Sequence, residues 1–335
     1  MNIDLKNING FDLNKEVYSV EESLNSNAEI KAISMKLRIN DYNSLFSFGT
    51  NISNEVSTFI NKAINTLKND NTSVMNELTD KLSVFVSKLE PSDFIPKEKT
   101  FLSSFFKKNT DIPLDELYKK YTPILLEADR LIVAVRGFQN NLKNANTYLF
   151  QLFERSLYYY TQVRKHSKAL DLFRNDITVK SQLNSNFRDM MDKRHYNLGL
   201  VETIALQQTV AIKNVISNNS LITENLDSFY IATLPLLKQC ILNSITLKKQ
   251  SLKSKSNELI QKQINEAIST SPDLSEKLKT AFVNSENLDR ETLLKTIEIL
   301  KSGIKETTKL KDKREEEIKT ETLELTKLNE EIRKA

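Results

Sequence analysis

Two histidines, one cysteine and a group of amides and lysines are the side chains on which chemistry could rest. His166 and His195 stand 29 residues apart with no HExxH and no Cys/His cluster around either, so the spacing that puts two imidazoles on one metal is missing. Each is expected to be structural or exposed. Cys240 could serve as a thiol reductant, since the thiolate is the nucleophile in such chemistry, but it falls at an apolar helical position where burial raises a thiol's pKa. A core role is expected for it. One cysteine cannot close an internal disulfide or build a thiolate zinc site, which points to a reducing, cytosolic setting. The five glycines, at 10, 49, 137, 199 and 303, are too scattered to form a P-loop or GxGxxG turn, and no GxSxG occurs. Nucleotide hydrolysis and dinucleotide chemistry are excluded, no cofactor is expected, and the chain reads as a non-enzyme.

The amides are more informative. Gln207, Gln208, Asn218 and Asn219 sit in or beside an apolar stripe, where a polar amide needs a partner or costs stability. With Lys213 and Lys238 they make a candidate anion-binding set, because amide N–H groups and ammonium charge together hold a small dianion. A second candidate surface is Phe101, Leu102, Phe105, Phe106, Lys107 and Lys108, four bulky apolar residues with a basic end. Such a segment caps the open end of a bundle, or docks on a partner or an anionic membrane. Lys238, Lys248, Lys249, Lys253, Lys255 and Lys262 face a single Glu258 and read as a solvated helix face. Tyr158, Tyr159 and Tyr160 read as seam plus flank, not as a base-stacking platform.

These groups must be positioned by helices. The chain has 335 residues, enough for about two domains, with 39% hydrophobic and 27% charged residues but only 5 Gly, 6 Pro and no Trp. Strand reversals need Gly, Asn-Gly or Pro chemistry, so sandwiches, barrels and wound sheets are disfavoured and an all-α fold is expected. The net charge of +4, with signs interspersed, requires no nucleic acid. No apolar segment follows Met1 and the longest apolar runs are a few residues, so neither export nor a membrane span is expected.

Residues 1–44 carry sparse apolar positions (Leu13, Val17, Val20, Leu24) and read as a flexible N-terminal segment with one weak helix. Over 45–100 two helical runs, Val56 to Leu67 and Val74 to Leu89, read as a hairpin closed by Pro91 and Pro96, and 101–113 reads as a linker. The stretch 114–335 reads as a bundle of long coiled-coil-like helices, elongated and antiparallel. From Leu117 to Val163 fourteen positions follow in strict steps of four and three, thirteen of them apolar or aromatic. A 3.5-residue repeat of that length packs along a partner helix. Pro123 fits best at a first turn with Thr122 as N-cap, or else it kinks the helix. Asp171 to Asn197 is a looser connection. Leu293 to Ile332 repeats the four-three spacing, but Thr307, Lys311, Arg314 and Glu321 occupy its middle, so that helix is expected to pack at both ends and be solvated or kinked between them.

The run Ile204-Ala205-Leu206-Gln207-Gln208-Thr209-Val210-Ala211-Ile212, then Ser217-Asn218-Asn219, then Ile231-Ala232-Thr233-Leu234-Pro235-Leu236-Leu237-Lys238-Gln239 resembles the signature of the TelA/KlaA toxic-anion (tellurite) resistance proteins. Phe48-Gly49-Thr50, Asn76-Glu77-Leu78-Thr79 and Phe101-Leu102 through Phe105-Phe106-Lys107 fit the same pattern, which spans about residue 45 to the C-terminus. Leu237 stands where the family usually has Trp, and Lys213-Asn214 where it tends to carry an Arg-containing pair. The resemblance implies a cytoplasmic, all-helical bacterial protein of stress resistance, with no established reaction. The leading expectation is a non-enzymatic scaffold that works through a protein partner or self-association, either free in the cytoplasm or in peripheral contact with a membrane. Direct oxyanion binding is the alternative, and thiol-dependent modification of tellurite at Cys240 stands behind both.

Overall fold

A chain this poor in glycine has few places to reverse. The computed structural model describes residues 5–24, 28–68, 72–90, 114–231, 233–249 and 290–334, and every regular element among them is helical. A tight 3-10 segment (Leu5–Gly10) precedes α1 (Leu13–Leu24), α2 (Ala28–Ser34), α3 (Tyr42–Ser47), α4 (Thr50–Lys68), α5 (Thr72–Ser87), α6 (Leu114–Asn175), α7 (Ile177–Gln182) and α8 (Ser185–Leu226). One π-helical turn (Asp227–Ile231) leads into α9 (Thr233–Lys249), and α10 (Arg290–Lys334) follows. At 62, 42 and 45 residues, α6, α8 and α10 far exceed the ordinary globular helix. The connection after α6 is short: the Asp176 and Asn184 carboxyl and amide oxygens accept the Val179 and Phe187 N–H groups and so start the next helices.

The chain divides into two compact units that interleave in sequence: residues 1–70, 144–219 and 313–335 in the first, 71–143 and 220–312 in the second. The four-three spacing of α6 supplies both. Of its fourteen positions all but Ala145 are buried, Leu117 to Leu142 in the core of the second unit and Leu149 to Val163 in that of the first. Each large apolar side chain so buried is worth roughly 1.5–3 kcal/mol. The second core adds Leu82 and Phe85 of α5, Ile222 of α8 and Leu300 of α10; the first adds Ile60 of α4, Ile204 and Ile212 of α8 and Leu325 of α10.

Four expectations need correcting. The N-terminal segment is anchored, because Ile8, Val20, Leu24, Ile30 and Leu37 all enter the first core; sparse positions suffice when each finds a slot in a surface built by other helices. The two runs of 45–100 do not form a self-contained hairpin, since α4 belongs to the first unit and α5 to the second, where each finds a larger apolar face. Pro123 lies inside α6, which starts at Leu114. The middle of α10 is neither solvated nor bare: Thr307 and Arg314 are buried, the Thr307 hydroxyl bonds Asn225, Lys311 donates to Asn76 (2.8 Å), and Glu321 accepts from Asn214 (2.8 Å). Facing helices supply the polar partners that the spacing could not reveal. Residues Phe101 to Lys108, the whole 101–113 linker and Lys253, Lys255, Glu258 and Lys262 lie outside the described residues.

Candidate functional site

The amides on α8 share one unit but serve different ends. Gln207 is exposed. Asn218 donates to the Glu317 carboxylate, and Asn214, one turn earlier, donates to Glu321. Asn219 donates to the Asn146 side-chain oxygen (2.7 Å), while the Asn146 amide reaches the Ile216 carbonyl (3.3 Å). Ser57 and Asn61 bond Asn329 in the same manner from α4 to α10. These are rungs of a polar ladder between helices, fixing the register of the long seams as buried polar pairs do in coiled coils. The N–H groups of Asn214 and Asn218 go to carboxylates, and Glu317 and Glu321 place negative charge beside them. Burial, with the charges of Glu317 and Glu324, holds the Glu321 carboxyl above the usual range despite the bond from Asn214.

The remaining members disperse. Gln208 is fully buried, and its amide bonds no group among the described residues. Lys213 reaches the Phe11 carbonyl (3.3 Å) and so ties down the N-terminal segment, together with Ser217, which donates to Asn9 (2.7 Å). Lys238 belongs to the second unit and pairs with Asp129 (2.5 Å). Gln207, Gln208, Lys213, Asn218 and Asn219 thus fall within the first unit and Lys238 within the second. Cys240 is buried in the second core. His195 pairs with Asp171 (3.0 Å), and the His166 Nδ1 bonds the Gln162 carbonyl (2.9 Å).

Three features of the first unit escaped the spacing argument. An ion-pair cluster surrounds Arg164, which contacts Glu21 and Glu202, with Lys168 on Glu21 (2.8 Å). Burial pushes the Glu202 carboxyl up against the pull of Ser167 and Arg164, and pushes the Tyr160 hydroxyl up to about 12. The second feature is a cleft of about 630 Å³ between α4 and α6. Asn54, Glu55, Thr58 and Lys62 form one wall, Tyr148, Gln151 and Arg155 the other, over a floor of Phe59, Leu152 and Tyr159. The Arg155 guanidinium lies over the rings of Tyr158 (4.9 Å) and Tyr159 (5.0 Å). Arg155 stands three and four residues before those tyrosines, the spacing that places helical side chains together, so this contact had a signal in the sequence. The third is the turn into α4, where Gly49 at φ +71° joins α3 to α4 and Arg194 bonds the turn from α8.

The matching of a protein-family model decides the kinship: the model for toxic anion resistance protein (TelA) fits residues 30–335. The chain belongs to the TelA family. Among TelA-like relatives, a TelA-like protein of Staphylococcus epidermidis is 20% identical, covering 95% of this chain and 90% of its own. The Bacillus subtilis proteins YaaN and YceH are 24% and 19% identical, covering 91% and 93% of this chain and 86% and 91% of their own. No solved structure matches the chain. Among the described residues no helix is long and apolar enough to cross a membrane.

Proposed function

We propose that this TelA-family chain acts in toxic-anion resistance as a binding scaffold without turnover of its own, and that its working surface is the α4–α6 cleft of the first unit, taken by a helix of a partner protein in the cytoplasm. The observation that carries the reading is the Arg155 guanidinium held over the rings of Tyr158 and Tyr159 at the edge of that cleft. Arg and Tyr dominate binding hot spots, and an arginine already fixed by stacking loses less freedom on binding. Two helices with an open groove between them accept a third that lays its apolar face over Phe59 and Leu152, with Glu55, Lys62 and Gln151 at the rim.

A photo-crosslinking residue at Gln151, which is exposed, tests this in cells challenged with tellurite. The expected result is one crosslinked partner that disappears when Tyr148 and Arg155 are both replaced by Ala. Crosslinks only between copies of the chain would reassign the cleft to self-association. Crosslinks that persist in the double variant would remove the cleft from the account.

A further inference from the structure

Beyond the cleft, the Phe48-Gly49-Thr50 turn carries an arrangement of its own. The Arg194 side chain rises from α8 and donates through Nε to the Phe48 carbonyl (2.5 Å) and through Nη2 to the Thr50 hydroxyl (2.7 Å). A guanidinium has five N–H donors in a rigid fork. Two hold the fork to the turn, and the others have no acceptor among the described residues. Neither Arg194 nor Lys36 makes an ion pair among the described residues, whereas neighbouring Lys165 is answered by Glu29. Gly49 keeps the approach tight: a Cβ there would lie 3.0 Å from Leu198, 3.8 Å from the His166 ring and 3.9 Å from Arg194 Nη2. His166 therefore flanks the same point as Arg194. Its Nδ1 is committed to the Gln162 carbonyl, leaving Nε2 as the second nitrogen of the ring.

The electrostatics agree with the geometry. Burial lowers the His166 pKa against the pull of the Gln162 carbonyl, and the charges of Lys36, Arg194 and Lys165 act in the same direction as burial, with no carboxylate of the described residues set against them. Burial also lowers that of Arg194. Partly buried positive charge without a counter-charge is costly, and the first turn of the 19-residue α4 adds its own positive pole. Among the described residues no carboxylate pairs with Arg194 or Lys36, so an anion from outside would relieve them.

We propose that Arg194 and His166, which meet at the Phe48–Thr50 turn, form a binding site, with Lys36 as a further positive charge, for a tetrahedral or pyramidal oxyanion of the phosphate class, carried either free in solution or as a lipid phosphate monoester. Arg194 presents its remaining N–H groups as the primary donor, Lys36 adds charge, and His166, whose Nδ1–H is given to the Gln162 carbonyl, offers Nε2 as an acceptor for a protonated oxygen of the anion. This site is separate from the amides of α8 and does not depend on the α4–α6 cleft.

The test uses the full chain. Calorimetry with inorganic phosphate and with tellurite, at low salt, reports the free-anion source; co-sedimentation with phosphatidylcholine vesicles, plain or containing phosphatidic acid, reports the lipid source. The His166 ring signals are followed by NMR in parallel. Saturable binding of the free anions that shifts the His166 signals supports a soluble ligand; binding confined to the phosphatidic acid vesicles supports a headgroup. In either case Arg194→Gln should weaken binding about tenfold or more. Because Arg194 also braces the turn, Lys36→Gln is the second variant: it should weaken binding about two- to fivefold while leaving the thermal midpoint unchanged. No binding in either arm, or binding untouched by both substitutions, overturns the proposal.

Discussion

The two units bury polar groups in different ways. In the second, the inner polar side chains are mostly uncharged: Gln139 bonds the Thr223 carbonyl (3.1 Å) and Asp227 (2.9 Å), and Thr307 joins Asn225 and Tyr230. Its ion pairs, Lys88–Glu127, Lys120–Glu90 and Lys238–Asp129, lie toward solvent. The first unit takes ionisable groups inward: Glu202, Arg164, Glu321, Arg194 and Arg314, whose guanidinium burial pushes down to about 10. Buried charge is a poor way to gain stability. Its concentration in the unit that also holds the Tyr148–Arg155 cleft and the Arg194 turn is the difference that the proposed binding role would account for.

Substitutions can break or sharpen this contrast. The largest effect is expected at Arg164: Arg164→Met leaves Glu202 without its cation and Glu21 with Lys168 alone, and should lower unfolding free energy by about 2–3 kcal/mol, measured by urea denaturation. Next comes the ladder. Asn219→Leu takes the donor from buried Asn146 and should cost about 1–3 kcal/mol, whereas Gln208→Leu removes a buried amide that bonds no group among the described residues and should be neutral or stabilising by about 1 kcal/mol. Equal losses at both would dissolve the distinction between paired and unpaired amides.

Glu321 gives the pH dependence. Its carboxyl is held above the unfolded value, so its contribution to stability is full below the ordinary carboxylate range and is lost as pH rises through the folded pKa. Glu321→Gln should therefore raise the thermal midpoint at neutral pH and have little effect below about pH 4. Glu21 runs the other way: burial raises it, but the bonds from Arg164 and Lys168 outweigh that and leave it below its ordinary value. The smallest effect is expected in the second unit, where Lys238→Ala removes an exposed pair and should change stability by less than about 1 kcal/mol.

The sequence shows the helices far better than it shows their partners. The four-three spacing of Leu117 to Val163 located the buried face of α6 almost residue by residue, since periodicity reports which side of a helix is apolar. It did not reveal that this one stripe serves two cores, because spacing carries no information about which helix lies opposite. The same blindness misjudged α10: Thr307, Lys311 and Glu321 look like solvent positions until Asn225, Asn76 and Asn214 come to face them. Among the amides, polarity within an apolar stripe singled out Gln207, Gln208, Asn218 and Asn219, of which Gln207 is exposed and the other three are buried, but only the facing side chains tell a rung from a ligand site. Arg194 gave no signal at all, its partners lying 144 and 146 residues away.

Complementation of tellurite resistance in a bacterial strain lacking the protein tests the central claim most directly, comparing the wild-type chain with Tyr148→Ala/Arg155→Ala and with Cys240→Ala. A folded double variant that has lost resistance, beside a cysteine variant that retains it, is the result expected of a scaffold that acts through its cleft. Full resistance from the double variant, with resistance lost at Cys240, would contradict it.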